Sequence, residues 1–419
     1  MREAHTDVLV VGAGPIGLWT ALLLAEAGVQ VSVVDREPGV AARTYACALH
    51  PRTLKLLDGI GLAGSVLEQA RRIQKVGFFD GAERRAEVDL RSLGGDYPFL
   101  AILPQHALEN VLEQRLRRAG VQVYWNHRLV DLGIGEESVE ATVEQLAGTS
   151  TGYIVPHWET VVKERTTLGA QFVIGTDGQN STVRRLSGIE TQKFGSPQFF
   201  VAFEFESDPA PDAEIRVVLG PASTSVLWPL ARNEFRWTFQ LVRSEGVPEF
   251  PLKERRAVRV AKPEVDSIVR QYIQTVAQQL APWFSARIGE LTWSSEVAFE
   301  SRLVPQFGRN RIWLAGDAAH QTGPVGVQSM NMGFVEGAAL SRRIDSILRG
   351  SAALESLEDF NQEHQEEWRR LLGLEHLLTS GTATNPWVAE RSSRLLPCLP
   401  GTDGDLQELA AQLGLSFAK

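Results

Sequence analysis

The stretch Asp7-Val8-Leu9-Val10-Val11-Gly12-Ala13-Gly14-Pro15-Ile16-Gly17, close to the start of the chain, decides the fold. Its last six residues have the Gly-x-Gly-x-x-Gly spacing of a turn that binds a dinucleotide. In such a turn Gly12 permits the tight bend, Gly14 lets the backbone approach a pyrophosphate, and Gly17 allows a helix to pack closely on a strand. The residues that we place at the cofactor here are Gly12, Gly14, Pro15, Ile16 and Gly17.

The sequence on either side of the turn supports the nucleotide interpretation. It predicts a strand over 7–11, a helix over 15–27 and a second strand over 29–34, which is followed by Asp35. A carboxylate at this position binds a ribose 2′-hydroxyl and would repel a 2′-phosphate, so FAD or NAD is favoured over NADP. Arg36 follows directly and is placed beside the same nucleotide. The alternative is an ordinary strand-to-helix turn whose glycines serve packing alone.

Two later motifs separate FAD from NAD, Thr176-Asp177-Gly178 and Gly316-Asp317-Ala318-Ala319-His320. With the first turn, they make the chain resemble the class A flavoprotein monooxygenases, the para-hydroxybenzoate hydroxylase family, over nearly its full length. The further pieces that carry the resemblance are Gly175 to Arg184, Ile312 to His320, Pro324, Asn331, Arg43, His50 to Leu54, Tyr97 to Phe99, and Pro104-Gln105. The Tyr97 and Pro104 pieces look most like the hydroxylases of phenols and aromatic polyketides.

The resemblance implies one noncovalent FAD and assigns roles to individual residues. Asp317 resembles the residue that accepts ribityl hydroxyls, and Asp177 the one near the pyrophosphate and the path of the reductant. Arg43 resembles an arginine that offsets the pyrophosphate charge, and Gln105 is placed with it at the cofactor. For both aspartates the alternative role is helix capping, and for Arg43 it is that of a surface arginine. His320 is expected to pack beside the flavin loop as a structural residue.

The segment from Pro324 to Asn331 corresponds, by the same resemblance, to the loop beside the flavin pyrimidine, where helix N-terminal amides can face an anion. Relatives have Gly-Gly-Gln-Gly-Met-Asn where this chain has Gly326-Val327-Gln328-Ser329-Met330-Asn331. Because the β-branched Val327 resists positive φ, we expect either ordinary dihedrals with a harmless substitution or a reshaped pocket with altered oxygen chemistry. We place Pro324, Gly326, Val327 and Gln328 beside the reacting flavin, without a side-chain acid or base, and Gly326, Ser329, Met330 and Asn331 at the cofactor.

The spacing of the three motifs predicts an α/β (mixed α+β) fold in which a Rossmann-like FAD-binding domain is discontinuous. We assign residues 1–73, 102–186 and 299–380 to that domain, 74–101 and 187–298 to an inserted β-sheet substrate domain, and 381–419 to a short C-terminal helical tail. Alternating apolar residues around Phe203 and Trp237 predict half-buried strands in the insert. Phe203, Trp228, Trp237 and Pro324 are candidate lining residues of an apolar pocket; the alternative for the aromatic residues is a place in the core.

Composition limits the partners. The 419 residues carry 42 Lys and Arg against 51 Asp and Glu, a net charge of −9, which argues against a nucleic acid or an anionic membrane as partner. Cys47 and Cys398 have no metal-ligand or redox spacing, so we expect free thiols, no metal and a reducing compartment. The apolar run from Val8 to Ala25 contains the glycine turn and lacks a basic leader, so a cytoplasmic protein without a membrane span is expected. The oligomeric state stays open.

Together these features predict an FAD-dependent, single-component monooxygenase that uses NADH or NADPH. By resemblance, it hydroxylates or epoxidises an aromatic or polycyclic molecule through a flavin hydroperoxide, as enzymes of secondary metabolism do. No second glycine fingerprint is visible, so the reductant is expected to bind transiently. Other flavin chemistries stay open, namely a halogenase, although no Trp-x-Trp-x-Ile-Pro motif occurs, or a saturating reductase like geranylgeranyl reductase. A flavin-bearing isomerase or a redox-gated binding protein is the alternative outside monooxygenation.

Overall fold

A computed structural model describes residues 5–40, 48–151, 157–208, 213–230, 233–241, 263–375 and 377–418. The strands, in chain order, are β1 (His5–Val11), β2 (Val31–Val34), β3 (Ala48–Leu49), β4 (Arg71–Ile73), β5 (Lys75–Asp80), β6 (Glu83–Asp89), β7 (Leu100–Ile102), β8 (Val123–Tyr124), β9 (His127–Ile134), β10 (Val139–Thr151), β11 (His157–Gly175), β12 (Gln192–Asp208), β13 (Ile215–Leu219), β14 (Thr224–Pro229), β15 (Glu234–Leu241), β16 (Arg287–Leu303), β17 (Gly308–Arg309), β18 (Ile312–Leu314), β19 (His320–Gln321), β20 (Leu378–Ser380) and β21 (Leu415–Phe417). The helices are α1 (Pro15–Glu26), α2 (Pro51–Asp58), α3 (Ala63–Leu67), α4 (Gln105–Arg118), α5 (Thr182–Leu186), α6 (Pro263–Leu280), α7 (Gln328–Leu348), α8 (Ser356–Leu371), α9 (Pro386–Glu390), α10 (Ser392–Leu395) and α11 (Asp403–Gln412). Short 3₁₀ turns cover Leu90–Leu93, Gly316–Ala318 and Leu396–Cys398.

The first large sheet has the strand order β17-β18-β11-β1-β2-β8, and β18, β11, β1, β2 and β8 run parallel. Strand β10 extends it as an antiparallel neighbour of β11, and β9 pairs antiparallel with β10. Parallel strands are covered on both faces, which explains the unbroken apolar run Val8–Val11 in β1. The carboxyl ends of β1, β2, β11 and β18 therefore bring all three nucleotide motifs to one edge of this sheet.

Helices α1 and α7 pack closely against each other beside this sheet. Gly333 lies at the crossing, where a Cβ atom would come within 2.8 Å of Ile16 Cδ1. The sequence predicts a helix after Gly333, but α7 begins five residues earlier, at Gln328. Gly333 is thus inside the helix, where its small size serves the contact with α1.

The second large sheet has the order β19-β16-β12-β15-β14-β13-β5-β6 and is antiparallel except between β13 and β5. Alternate residues of β12 point to opposite faces, as the period of two requires. Phe203 lies in a buried cluster with Tyr272 of α6, whereas Phe200 belongs to the main core on the opposite face. Helix α6 therefore covers one face of this sheet, and the other face looks toward the nucleotide-binding part of the molecule.

The C-terminal segment is packed into the main core. Leu395 and Leu409 are fully buried there, and Trp387 Nε1 donates a hydrogen bond to Asp80 Oδ2 at 2.9 Å, next to the β5–β6 turn. The predicted tail helix around 405–413 is observed as α11, two residues earlier at its start. Within the described residues, no helix is long and apolar enough to cross a membrane.

Candidate flavin site and adjoining cavity

The Thr176 motif packs against the glycine turn between β1 and α1 and fixes its conformation. Gly12 has φ +104°, and a Cβ atom there would lie 2.4 Å from the Thr176 carbonyl oxygen. Thr176 Oγ1 also donates to the carbonyl oxygens of Val11 and Gly12, each at 3.0 Å. At Gly14, by contrast, a Cβ atom would meet no atom within 4 Å. The turn is therefore fixed on its protein side and open where a pyrophosphate would approach.

A groove of about 220 Å³ lies along this open side. Its walls bring together residues of the glycine turn, of the segment that begins at Asp35, of the Thr176 motif and of strand β9; they include Gly12, Gly14, Asp35, Arg36, Thr176, Asp177, Asn180 and Arg128. The groove thus joins the first nucleotide motif to the second, as an extended dinucleotide requires.

Asp35 stands at the end of β2 with both carboxylate oxygens facing backbone amides. Oδ2 accepts from Ala13 N at 2.6 Å and Oδ1 accepts from Glu37 N at 2.8 Å. Burial raises the pKa of Asp35, while these two amides lower it. Each oxygen keeps a further acceptor site, so the half-buried carboxylate fits the hydroxyls of a ribose. Arg36 is exposed and pairs with Glu37 at 3.4 Å.

Asp177 caps α5, the role that was the alternative for it. Oδ2 accepts from Thr182 N at 2.6 Å and from Val183 N at 3.2 Å, and Oδ1 accepts from Ser181 Oγ at 2.5 Å. Burial raises the pKa of Asp177, and these hydrogen bonds lower it. The carboxylate lines the groove but is committed to holding the second motif in place.

Asp317 differs from Asp177 because, within the described residues, its carboxylate makes no hydrogen bond. It is exposed in the 3₁₀ turn that follows β18. The dense protein around it raises the pKa of Asp317, and the neighbouring His320 and Arg302 side chains lower it. An open acceptor at this place fits the hydroxyls of a ribityl chain.

The buried Glu336 of α7 binds the turn that contains Asp317. This residue was not identified from the sequence. Its Oε2 accepts from Gly316 N and from His320 Nε2, each at 2.9 Å, and Oε1 accepts from Trp368 Nε1 at 2.7 Å. Burial pushes the pKa of Glu336 up, but His320 and these donors outweigh it and hold the pKa below its usual range. The feature of the sequence that could have identified Glu336 is its position as a single glutamate within the apolar run of α7. His320 is fully buried and stacks on Trp368, which agrees with the structural role expected for it.

Val327 has a left-handed backbone, with φ 51° and ψ 37°, and it is the N-cap residue of α7. The expectation of ordinary dihedrals is therefore wrong, and the residue occupies a region that β-branched side chains rarely adopt. Ser329, the other replaced glycine, lies in the first turn of α7 and accepts a hydrogen bond from Thr322 N at 3.1 Å. The two substitutions therefore differ physically, since only position 327 has a backbone that demands glycine.

Asn331 anchors the loop rather than presenting its side chain to a ligand. Its Oδ1 accepts from His50 N at 2.8 Å and from Thr53 Oγ1 at 2.7 Å. Its Nδ2 donates to the carbonyl oxygens of Ala48 (3.0 Å) and Val327 (2.8 Å). All four polar positions of the amide are thus used inside the protein, so a contact of Asn331 with the cofactor, which stays a prediction, would have to come from its backbone.

The Gln328 side chain is also bonded within the protein. Its Nε2 donates to the Leu399 carbonyl at 3.2 Å, so the side chain is tied to the C-terminal segment. At Gly326 a Cβ atom would lie 2.5 Å from the Pro397 carbonyl oxygen. The flavin loop and the C-terminal segment are therefore packed backbone to backbone.

The remaining predicted residues lie near the site with less definite roles. Gln105 is half-buried at the start of α4 and donates to Glu109 Oε1 at 2.7 Å. Pro324 and Met330 are half-buried in the loop and at the first turn of α7. Arg43 falls outside the described residues.

A cavity of about 500 Å³ lies between the second sheet, the flavin loop and the C-terminal segment. The sheet contributes Gln198, Phe200, Thr224 and Gln240, the loop Thr322, Gly323 and Val325, and the C-terminal part Leu372, Leu378, Ser392, Arg394 and Leu396. Its size suits a molecule of drug-like dimensions.

The aromatic residues that the sequence proposed as pocket lining are not among the residues that line this cavity. Phe203 and Trp237 are fully buried on the α6 face of the sheet, opposite the cavity, because residues at odd positions of β12 and β15 point that way. Trp228 is on the main-core face but is not among the residues lining the cavity. Pro324 is flanked by two lining residues. The sheet wall is instead formed by even-numbered positions of β12, β14 and β15, among them Phe200 and Gln240, and by Ser301 of β16.

The family model described as an FAD binding domain matches residues 5–372, and the chain belongs to this family. It is 27% identical over 399 residues to para-nitrophenol 4-monooxygenase of Pseudomonas sp. strain WBC-3, covering 93% of this chain and 88% of the relative. It is 28% identical over 390 residues to 6-methylpretetramide 4-monooxygenase of Streptomyces rimosus, covering 91% of this chain but only 63% of that longer protein.

Solved structures share the fold. The p-nitrophenol 4-monooxygenase of Pseudomonas putida DLL-E4 superposes with a TM-score of 0.71 at 22% identity, covering 98% of this chain and 95% of that one. Aklavinone-11 hydroxylase, solved with FAD and aklavinone, gives a TM-score of 0.69 at 22% identity, covering 98% of this chain and 73% of that one. The protein is an FAD-dependent monooxygenase related to the phenol and aromatic polyketide hydroxylases.

Proposed function

We propose that this protein uses NADH or NADPH and O₂ to hydroxylate or epoxidise an aromatic or polycyclic small molecule, in the manner of enzymes of secondary metabolism. The observation that carries the proposal is the cavity of about 500 Å³, because the flavin loop forms one of its walls. A molecule held there lies against Thr322, Gly323 and Val325, the segment that leads into α7. The named relatives act on nitrophenol and 6-methylpretetramide, which are substrates of one or several rings.

Bound FAD, reduced by the nicotinamide, supplies the oxygen chemistry that no side chain can provide. In our proposal Asp35 binds the ribose of its adenosine half, the open side of Gly14 receives the pyrophosphate, and Asp317 binds the ribityl chain. The amides at the start of α7 face the pyrimidine edge of the ring. Apolar walls such as Phe200 and Leu372 exclude water from the bound substrate.

We also propose the domain division given by the sequence, with the first large sheet in the FAD-binding domain and the second in the substrate domain. On this division the cavity lies where the two domains and the C-terminal segment meet. Residues 381–419 then form part of the substrate site, a role that goes beyond that of a covering tail.

The test is a coupled measurement on the purified, FAD-loaded protein. NAD(P)H consumption, hydrogen peroxide and product mass are followed with a panel of phenols and multi-ring aromatic compounds. We expect at least one compound to accelerate NAD(P)H consumption and to gain one oxygen atom. Consumption without any oxygenated product contradicts monooxygenation, and a product that forms only with halide indicates a halogenase. A compound rearranged without NAD(P)H indicates an isomerase.

A further inference from the structure

Among the described residues that line the cavity beside the flavin loop, one carries a charge, Arg394 of α10. The other described lining residues are apolar or carry neutral amide, hydroxyl or thiol groups. The protein as a whole has a net charge of −9, so a lone cation in this cavity opposes the general charge. Arg394 comes from the C-terminal segment and faces the same space as Phe200, Gln240 and Val325.

Backbone carbonyls hold the Arg394 guanidinium in one position. NH1 donates to the Gly220 carbonyl at 2.7 Å and NH2 to the Ser223 carbonyl at 2.6 Å, both in the β13–β14 loop. NH1 also reaches the Pro221 carbonyl at 3.3 Å and NH2 reaches Thr224 Oγ1 at 3.2 Å, so each terminal nitrogen has two acceptors in the protein. These partners are neutral, so they fix the geometry of the fork without cancelling its charge. In the described part of the chain Nε makes no hydrogen bond.

Arg394 also lacks a counter-charge. Among the described residues no carboxylate pairs with it; burial lowers the pKa of Arg394, the nearby Cys398 opposes this shift, and Arg391 adds to it. A half-buried cation is costly unless an anion compensates it. Arginine forms strong, geometrically defined hydrogen bonds with carboxylates and other oxyanions. Because NH1 and NH2 are bonded to neutral protein acceptors, the positive charge and the Nε–H of this fixed guanidinium are what it offers to an anion in the cavity.

We propose that Arg394 binds an ionised acidic substituent of the substrate, a carboxylate or a phenolate, while the ring system extends to the flavin loop. This inference rests on the proposed function for the identity of the cavity as the substrate site. It narrows the substrate class to acidic aromatic compounds. It also makes the C-terminal segment a determinant of specificity.

The competing interpretation is that Arg394 only ties the C-terminal segment to the β13–β14 loop. Two variants separate the roles. Arg394→Met keeps an unbranched stem and removes the charge, whereas Arg394→Lys keeps the charge and loses the fork. Arg391→Gln is the matched control, because it removes a positive charge from the same segment at a residue that does not line the cavity.

Binding is measured by equilibrium dialysis on FAD-loaded protein with two pairs of probes of nearly equal shape. The carboxylate pair is 2-naphthoate and 2-naphthamide; the phenolate pair is 4-nitrophenol, used above its ionisation range, and 4-nitroanisole. We expect Arg394→Met to weaken binding of at least one anion by about tenfold or more, the loss of a charge-assisted hydrogen bond, and its neutral partner by less than about twofold. Arg394→Lys should keep most of the preference for the anion, and Arg391→Gln all of it.

Equal losses for the anion and its neutral partner would show a purely structural tie and overturn the proposal. Wild-type protein that prefers neither anion would overturn it even if the Met variant fails to fold. The pair that shows the preference identifies the acidic group. Because dialysis needs no turnover, a protein that binds anions selectively but never oxygenates an aromatic compound would contradict the proposed function and leave the anion site standing.

Discussion

At the scale of single residues, Val327 carries two opposing contributions. Its left-handed backbone costs about 1–3 kcal/mol for a residue other than glycine. Its side chain is only 9% exposed, and burial of a valine is worth about 1.5–3 kcal/mol. The two effects are of similar size. The surroundings keep the strained conformation because Asn331 binds the Val327 carbonyl and the C-terminal segment packs on Gly326.

Val327→Gly is therefore expected to change the free energy of unfolding by about 1 kcal/mol or less. Val325 is the matched control, since it is 7% exposed in the same loop and has no positive φ. Val325→Gly loses burial with no strain to relieve and should cost about 2–4 kcal/mol. Chemical denaturation of the FAD-loaded variants measures both. Equal losses would show that the backbone of Val327 is not strained.

The two motif aspartates should separate cofactor binding from folding. Asp317→Ala removes a carboxylate with no described protein hydrogen bond, so we expect FAD affinity to fall by about 1–3 kcal/mol with the apoprotein equally stable. Asp177→Ala removes the cap of α5, so apoprotein stability should fall by about 0.5–2 kcal/mol. FAD titration and thermal melting of the apoproteins check the pair. An apoprotein destabilised by Asp317→Ala would contradict the assignment.

At the scale of secondary-structure elements, His50 joins the start of α2 to the flavin loop. It is 1% exposed and its Nε2 donates to the Gly326 carbonyl at 2.8 Å. Burial lowers the pKa of His50 to about 4, from an ordinary 6.5. The unfolded chain therefore binds a proton that the folded protein excludes between these pH values. Stability contributed by neutral His50 is complete above pH 6.5 and is lost as the pH falls toward 4.

The difference in unfolding free energy between wild type and His50→Gln should therefore shrink as the pH falls through this window, by up to about 3 kcal/mol. Glutamine keeps a donor for the Gly326 carbonyl without a titrating group. Comparing the two proteins cancels other titrations, including that of Glu367, whose pKa burial raises to about 7. Denaturation curves at several pH values supply the measurement. Parallel pH profiles would mean that His50 does not titrate in this range.

Local sequence patterns predicted the helices and strands that depend mainly on residues close in the chain. Helix α1 was expected over 15–27 and is observed as Pro15–Glu26, and the strand before Asp35 was expected over 29–34 and is observed as Val31–Val34. The faces of β12 could not be predicted, because Phe200 and Phe203 are both apolar and the period of two does not say which face meets the cavity. The capping role of Asp177 and the left-handed Val327 depend on partners brought in by folding.

At the scale of the whole molecule, the C-terminal segment is the part that the sequence revealed least. From the sequence alone it is expected to be a short tail, yet it contacts the second large sheet and the flavin loop. Its partners lie far away in the chain: Gln328 and Leu399 are 71 residues apart, and Gln412 and Asp89 are 323 apart. No local pattern encodes such pairs. The segment is thus a structural part of the substrate cavity and of the loop that holds Val327.

Removal of residues 381–419 should therefore do more than uncover the cavity. Leu395, Leu399 and Leu409 are fully buried and belong to the main core, and loss of three such leucines costs about 5–9 kcal/mol of burial, comparable to the stability of a whole domain. We expect the truncated chain to be largely unfolded and unable to retain FAD.

Loss of residues 418–419 alone, which leaves α11 and β21 in place, is the control and should leave FAD content and melting temperature nearly unchanged. FAD absorbance per chain and melting curves of the two truncated proteins decide the matter. A protein lacking 381–419 that still melted cooperatively with full FAD content would show that the C-terminal segment is an appendage, and its assignment to the substrate site would have to be withdrawn.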